Sequence, residues 1–386
     1  MIKTKLRSAV IFLLAIPVIL LLIEVGIRII IPQAVDEIDF GDIYTISYSP
    51  SLGKNIKSLK PGISRIKNGA EVHINSIGTR DNDYTIQKPD SVRRIAIVGS
   101  SIAFGLNLEL DDTFGKKMET LFEADSGTVQ TEVLLFGRPG FKARETYACI
   151  VDKVLAFEPD LIIYSFVQNN YEDESADEYF SRLTAPPIIQ HQDAAKGEIS
   201  ILAKLRNGWE EMKDHQLSRY VRSRFHLYLF SANSIARILR EVSQIEKEKA
   251  QNIAALNPNL PSFRKKIINT ESWISLMNDA CQGKGVKFAI LMHPYEMQLN
   301  ERGGEKWRLK GIDIPTNNLN FETHQIMKNY AQSTGIYFVD ILPELRNRME
   351  SDRNYYLEGD YGHFNAAGHS LIAENLFKAV NQILAD

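Results

Sequence analysis

A carboxylate and an imidazole stand three residues apart near the end of the chain, in Gly359-Asp360-Tyr361-Gly362-His363-Phe364-Asn365. That spacing lets the carboxylate hold the imidazole Nδ1–H while Nε2 faces a serine. A histidine held this way takes a serine proton and later returns it to a leaving group. The serines on offer lie far upstream, in Arg93-Arg94-Ile95-Ala96-Ile97-Val98-Gly99-Ser100-Ser101-Ile102-Ala103-Phe104-Gly105. Two further polar elements could receive an oxyanion. The loop Phe136-Gly137-Arg138-Pro139-Gly140 offers backbone N–H groups, and Gln168-Asn169-Asn170 offers side-chain amides. Each element has a plainer reading when taken alone. The serines would cap the next helix, Asp360 or Asn365 would cap the last one, and the two loops would be ordinary turns.

The elements around these residues decide between the readings. Ile95 to Val98 is a short, apolar, β-branched run that ends at a glycine, as in the middle of a parallel sheet. Thr131 to Phe136 and Leu161 to Val167 repeat the pattern, with amphipathic helices over Thr113 to Glu123 and Lys142 to Ala156 between them. The sheet resumes with strands at Val286 to Met292 and Ile336 to Asp340, a helix at Phe321 to Thr334 and a last helix at Asn365 to Leu384. Strands and helices alternating at this spacing predict a right-handed α/β fold with a central parallel sheet. The four polar elements then fall at carboxyl ends of strands or just before the last helix, which is the edge where such sheets bind ligands.

Tyr171 to about Gly285 interrupts the pattern. It opens on an acidic run from Glu172 to Glu178, then a polar stretch around Pro186 to Lys196. Helical segments follow over Ile199 to His215, Leu217 to Ala254 and Phe263 to Gln282. The expectation is a helical insertion on the rim of the sheet, placed as a lid. Before the first strand, Asp36 to about Pro89 reads as a stalk or strand-containing lead-in, with a short strand and turn over Val72 to Arg80.

The N-terminus carries Lys3, Lys5 and Arg7 ahead of an apolar stretch from Ala9 to Ile31, broken by Glu24 and Arg28. That stretch is long enough to cross a hydrocarbon core of about 30 Å. Glu24 and Arg28 are four apart and can pair on one helical face. Gln33-Ala34-Val35 makes a poor cleavage site, so an uncleaved anchor is expected in preference to a signal peptide. Basic residues before the helix and Asp36, Glu37 and Asp39 after it predict a cytoplasmic N-terminus and an extracytoplasmic main domain. The formal net charge of -3 over 386 residues gives no sign of a nucleic-acid partner. Two cysteines, Cys149 and Cys281, exclude a disulfide framework and multi-cysteine zinc motifs, and two free thiols are expected over a single bridge. No HExxH, EF-hand or P-loop pattern occurs, so neither metal nor nucleotide cofactor is expected. His293 and His369 read as structural, and Arg138 and Arg144 as arginines that could meet an anionic substrate.

The order Ser, Gly, Asn, Asp-x-x-His resembles the SGNH (GDSL-type) hydrolases, and in particular their membrane-anchored extracytoplasmic subgroup. The family's Gly-Asp-Ser block stands here as Gly99-Ser100-Ser101, followed by Gly105. The oxyanion-glycine block stands as Phe136 to Phe141, the Gly-x-Asn-Asp block as Val167-Gln168-Asn169-Asn170, and the Asp-x-x-His block is complete. Asn75-Ser76-Ile77-Gly78-Thr79-Arg80 is similar to a lead-in of anchored members. The resemblance covers Val72 to Val167 and Val286 to Asp386, and leaves out the insertion. It implies a three-layer α/β/α domain, SGNH or flavodoxin-like, over 91–386 with its insertion at about 171–285, preceded by a lead-in at 35–90 and an anchor at 1–34. It also implies Ser101 as nucleophile, His363 as base and Asp360 as its orienting partner, with Ser101 N–H, Gly140 N–H and the Asn169 side chain as the oxyanion hole.

Two residues depart from the family pattern. Ser100 stands where the family has an aspartate before the nucleophile, and Asn170 where it has one after the asparagine. The activity implied is ester hydrolysis through an acyl-enzyme, on an acetyl-like O-acyl group of an envelope glycan or lipid. Transfer of the acyl group to a cell-surface polysaccharide hydroxyl is the alternative acceptor chemistry. The two departures keep a different class in view as well: a catalytically silent envelope protein that binds glycans or partners through its insertion.

Overall fold

The structure is a computed structural model, which describes residues 18–26, 43–67, 69–125, 129–184, 259–309, 322–349, 354–358, 360 and 362–386. Its contacts separate two units. One comprises residues 1–39 and 189–248, and the other residues 40–188 and 249–386. Of the first unit only 18–26 is described, as helix with Val18 to Ile23 and Val25 exposed. No helix among the described residues is long and apolar enough to cross a membrane. The rest of the expected anchor from Ala9 to Ile31 lies outside them, as do the expected helices at 199–215 and 217–254 and the polar stretch at 186–196.

The second unit is built on a parallel sheet of five strands. They are β5 (Arg93–Gly99), β6 (Thr131–Gly137), β7 (Leu161–Val167), β8 (Lys287–His293) and β9 (Tyr337–Asp340), in the order β6-β5-β7-β8-β9. All neighbours pair in parallel, for example Val98 with Phe136 and with Tyr164. This is the doubly wound order in which the chain reverses direction between the first and third strands, the place where a crevice opens at the carboxyl edge. β5 is apolar from Ile95 to Val98, and β7 is apolar but for Ser165, because both faces are covered, and Ile95, Ile97, Ile162 and Ile163 have no exposed surface.

Helices α2 (Phe114–Ala124) and α9 (Ala366–Ala385) cover one face, where the Phe122 and Phe377 rings lie 4.7 Å apart. Helices α3 (Ala143–Asp152), α5 (Pro261–Gln282) and α7 (Glu322–Thr334) cover the other. There Tyr147 packs on Trp273, and the Tyr330 hydroxyl donates to the Glu271 carbonyl at 2.7 Å. The expected helix at Lys142 to Ala156 breaks at Lys153 into a short 3₁₀ turn, Val154–Phe157. Three helices fall where none was expected: α4 (Ala176–Thr184) at the start of the insertion, α6 (Glu301–Leu309) and α8 (Leu342–Met349).

The lead-in is two β-hairpins, β1 (Tyr44–Ser49) with β2 (Lys54–Leu59), and β3 (Ile63–Lys67) with β4 (Ala70–Ile74). Leu59, Ile63, Val72 and Ile74 form a second small core with Phe104 and Leu106, just after the paired serines. The segment after β4 and helix α2 also serve the edge strand β6, whose outward backbone groups would otherwise invite pairing with another chain. Leu135 N–H donates to Asp81 at 2.7 Å, Val133 N–H donates to Glu119 at 2.7 Å, and the Lys116 ammonium donates to the Val133 carbonyl at 2.6 Å. Lys116 also pairs with Asp81 at 2.7 Å, so that buried cation and anion answer each other and the strand between them.

Cys149 and Cys281 are unbridged thiols, and burial pushes their pKa up to about 11 and about 12. Neither is a reactive thiolate at neutral pH.

Candidate active site

β5 ends at Gly99, where the chain turns so close to β7 that a Cβ would sit 2.6 Å from the Ser165 carbonyl oxygen. Ser100 and Ser101 follow at the carboxyl edge. Ser101 opens a single helical turn, α1 (Ser101–Phe104). Ser100 occupies the residue before that turn, yet its side chain makes no capping bond and its buried hydroxyl has no partner among the described residues. Helix capping therefore does not account for the pair of serines.

Ser101 turns its hydroxyl toward the other end of the chain. It donates to His363 Nε2 at 2.7 Å, and His363 Nδ1–H donates to Asp360 Oδ2 at 2.7 Å. The carboxylate can only accept, so it fixes the tautomer: the proton sits on Nδ1 and the Nε2 lone pair faces Ser101. Asp360 has further support. Its Oδ1 accepts the backbone N–H groups of Gly362 at 2.8 Å and His363 at 3.0 Å. Burial by itself would raise this carboxyl's pKa, but the His363 hydrogen bond and charge and the two backbone donors outweigh it. They hold the pKa well below the usual carboxylate range. Asp360 thus stays ionised beside the imidazole at neutral pH.

The loop that carries the pair is held at its base. Tyr356 and Phe364 bridge as an antiparallel pair with stacked rings 4.5 Å apart, and Leu357 N–H donates to the His363 carbonyl at 2.9 Å. The Tyr356 hydroxyl donates to the Pro294 carbonyl at 3.0 Å, which fastens the loop to the chain just past β8. Helix α9 is capped by Asn365, whose side chain accepts Gly368 N–H at 3.0 Å. Of the two capping candidates, Asn365 does that work and Asp360 is left to the histidine.

The remaining expected residues sit on loops tied to the serine turn. Arg138 N–H donates to the Gly99 carbonyl at 3.0 Å, joining the ends of β6 and β5. Gly140, two residues on, adopts φ +82°, a conformation that favours glycine, with open space where a side chain would be. Its N–H makes no hydrogen bond among the described residues. The Ser101 N–H, in the first turn of α1, has no intrahelical acceptor. After β7 the two asparagines divide their tasks. Asn170 is buried: its Oδ1 accepts Val167 N–H at 2.9 Å and its Nδ2 donates to the Phe141 carbonyl at 2.7 Å, tying the β7 loop to the Gly140 loop. Asn169 is exposed, and its Oδ1 accepts from Asn170 Nδ2 at 3.2 Å, which leaves its own amide N–H₂ available. The described hydrogen bonds bring Ser101, His363 and Asp360 into one chain. Gly140 and Asn169 stand on neighbouring loops without touching it.

His293 and His369 lie nearby in a different environment. His369 Nδ1 accepts Phe114 N–H at 2.9 Å, and His293 Nε2 pairs with the Ser165 hydroxyl at 2.8 Å. Both rings pack on Phe114 and Phe364. Burial drives their pKa down to about 3. They are neutral core residues.

One residue that positions the site was not singled out for it beforehand. Arg80, fully buried, donates to the carbonyls of Phe104 at 3.1 Å and Gly105 at 2.6 Å, and to those of Glu71 and Leu108. It fastens the segment after Ser101 to the second hairpin. The lead-in similarity at Asn75 to Arg80 held the signal, since a buried arginine after a glycine turn needs acceptors from elsewhere in the fold.

No family model matches the sequence, and no curated protein matches it. Solved structures do. An acetyl xylan esterase, AlAXEase, is 14% identical, with 74% of this chain and 99% of that chain covered and a TM-score of 0.40. A catalytic mutant of Axe2, an acetylxylan esterase from Geobacillus stearothermophilus, is 13% identical over 75% of this chain and 94% of that chain, with a TM-score of 0.40. A G-D-S-L family protein from Desulfitobacterium hafniense DCB-2 is 12% identical over 74% of this chain and 98% of that chain, with a TM-score of 0.38. At such identity and overlap, what the site can do rests on the geometry of this chain's own residues.

Proposed function

We propose that the protein is a serine ester hydrolase working through an acyl-enzyme. The observation that carries this reading is the unbroken hydrogen-bonded chain from Ser101 through His363 to Asp360. His363 Nε2 takes the Ser101 proton as Oγ attacks the ester carbonyl, and the resulting imidazolium is stabilised by ionised Asp360. The C–O bond to the leaving alcohol breaks as His363 returns the proton to it. Water then attacks the acyl-enzyme by the same relay, releasing the acid and restoring Ser101. Ser101 N–H, Gly140 N–H and Asn169 Nδ2 are the donors assigned to the oxyanion.

The substrate class we assign is a small, acetyl-like O-acyl ester on an envelope glycan or lipid. The site's position on an open sheet edge supports it, with an exposed asparagine and a glycine facing open space. We further propose that the apolar run from Ala9 to Ile31 anchors the chain, with the hydrolase domain beyond the membrane, on the strength of its charge asymmetry. A reporter joined after Asp386 that is active only in the cytoplasm refutes that placement.

A fluorophosphonate probe tests the chemistry. It should label the wild-type protein and fail on Ser101→Ala. No labelling of folded wild type supports a silent binding protein instead. A panel of short-chain esters, run with and without a sugar-hydroxyl acceptor, then separates hydrolysis from acyl transfer.

A further inference from the structure

Arg138 is nine-tenths buried, with 8% of its surface exposed. Its guanidinium carbon lies 5.1 Å from the centre of the Tyr44 ring and 4.7 Å from that of Phe141. Through its side chain it makes no hydrogen bond or ion pair among the described residues, and its Nε is buried without a partner. Two aromatic faces offset part of the cost of burying this cation, but they leave its planar fork of N–H donors unfilled. That fork matches a carboxylate or a phosphate.

The guanidinium borders a groove of about 510 Å³, together with Gly140, Lys54, Lys142, Arg144 and Glu172. Lys142, Arg144 and the acids here are already matched. Lys142 pairs with Asp173 at 3.0 Å, and Arg144 with Glu145 and Glu174 at 3.4 Å. Asp173 and Glu174 are further held by Lys266 and Arg182 at 2.5 and 2.9 Å, and the Glu172 carboxylate accepts Arg144 N–H at 2.9 Å. Half-buried Lys54 rests over the Tyr179 ring at 5.1 Å, and Arg138 is the buried groove cation with neither ion pair nor side-chain hydrogen bond among the described residues. Its backbone is fixed at both ends: its N–H donates to the Gly99 carbonyl, and its carbonyl accepts Phe141 N–H at 3.1 Å. The cation is thus held in register with the serine turn and with Gly140.

We propose that Arg138 binds a carboxylate or phosphate group on the ester-bearing substrate, so that the hydrolase selects acidic acylated polymers over neutral ones. The proposal rests on the ester-hydrolase reading and deepens it. The two sources of the anion, a sugar acid or a glycerol phosphate unit, share the chemistry that recognises them.

Binding by the full chain carrying Ser101→Ala tests the subsite apart from catalysis. The ligands are an acetylated uronic acid oligosaccharide, an acetylated glycerol phosphate oligomer and a neutral acetylated oligosaccharide of equal length, measured by calorimetry. One acidic ligand should bind about tenfold or more tighter than the neutral one, and the tighter of the two identifies carboxylate or phosphate. Arg138→Gln added to Ser101→Ala should abolish that preference, and Arg138→Lys should keep part of it. Equal affinity for acidic and neutral ligands, or a preference that survives Arg138→Gln, overturns the proposal. If Arg138→Gln lacks a cooperative melt, salt decides: going from about 0.05 M to about 0.5 M NaCl should weaken the acidic ligand alone, and equal weakening of both overturns the subsite. A wild-type protein that the fluorophosphonate leaves unlabelled, yet whose chain prefers acidic ligands, refutes the hydrolase reading and leaves the subsite standing.

Discussion

Two aspartate–histidine pairs stand at the carboxyl edge of this sheet. In one, His363 joins Asp360 at 2.7 Å; in the other, His324 of α7 joins Asp340, the last residue of β9, at 2.9 Å. Each carboxylate orients an imidazole through Nδ1. The difference lies at Nε2. His363 Nε2 meets Ser101 at 2.7 Å, whereas His324 Nε2 is buried and has no partner among the described residues. A carboxylate-held imidazole is thus a common outcome of packing polar groups at strand ends. It becomes a relay when a hydroxyl is delivered to its free nitrogen, and here β5 and its glycine turn make that delivery. The same edge holds His293 and His369, which have no carboxylate hydrogen-bond partner among the described residues and rest as neutral core residues.

The comparison breaks first at Ser101. Ser101→Ala or His363→Ala should lower kcat/KM on a short acyl ester by roughly 10⁴–10⁶-fold, and removing both should cost little more, because the two act as one unit. Additive losses in the double variant would deny the relay. Asp360→Asn should cost about 10²–10⁴-fold, since the histidine loses its orienting anion.

The two asparagines after β7 give the next test. Asn169→Ala should lower kcat by about 10²–10³-fold with stability intact, as expected of an oxyanion donor. Asn170→Ala should instead lower stability by about 1–3 kcal/mol, because it leaves Val167 N–H and the Phe141 carbonyl without partners. Swapped phenotypes would move the oxyanion donor to Asn170.

Acid should expose the histidines that lack carboxylates. His293 and His369 have folded pKa values of about 3, below the ordinary 6.5. The unfolded chain therefore takes up their protons first. Stability is full above about pH 6.5 and declines as pH falls toward 3. His369→Asn should flatten that decline by about 1.4 kcal/mol per pH unit, read from urea melts. Asp360 adds to the loss lower down, as pH falls below the ordinary carboxylate range toward its depressed folded value. The smallest effect is expected at the second pair: Asp340→Asn should leave kcat/KM within about threefold, while the weakened bond to His324 costs about 1–3 kcal/mol of stability. A collapse of fluorophosphonate labelling in that variant would show that the two pairs are coupled.

The sheet could be read in advance because its strands are continuous apolar runs that end in turn residues, as in Leu161 to Val167. Hairpins β1 to β3 escaped notice: they show an alternating, half-exposed pattern with lysines and serines, which is as common in a loop. The aspartate and histidine at 360 and 363 were visible because their contact is local. His324 and Asp340 were not, since one lies on a helix and the other on a strand, brought together only by folding. Capping was a sound local expectation for both Ser100 and Asn365. Only Asn365 fulfils it, because the Ser100 hydroxyl is buried without making the capping bond. Arg80 shows the limit of motif reading, as its acceptors lie on residues scattered from Glu71 to Leu108.

Arg80 also has a practical consequence for anyone trimming the protein. A fragment that begins at Ser91, chosen to keep every residue of the relay and all five parallel strands, discards the guanidinium that grips the carbonyls behind Ser101. It also discards Asp81, which covers the open side of β6. Such a fragment would carry the full set of reacting groups on a loosened hinge, with a sticky strand at its flank. The hairpins work as a buttress for the Ser101 turn, and the shortest useful version of this protein starts ahead of them.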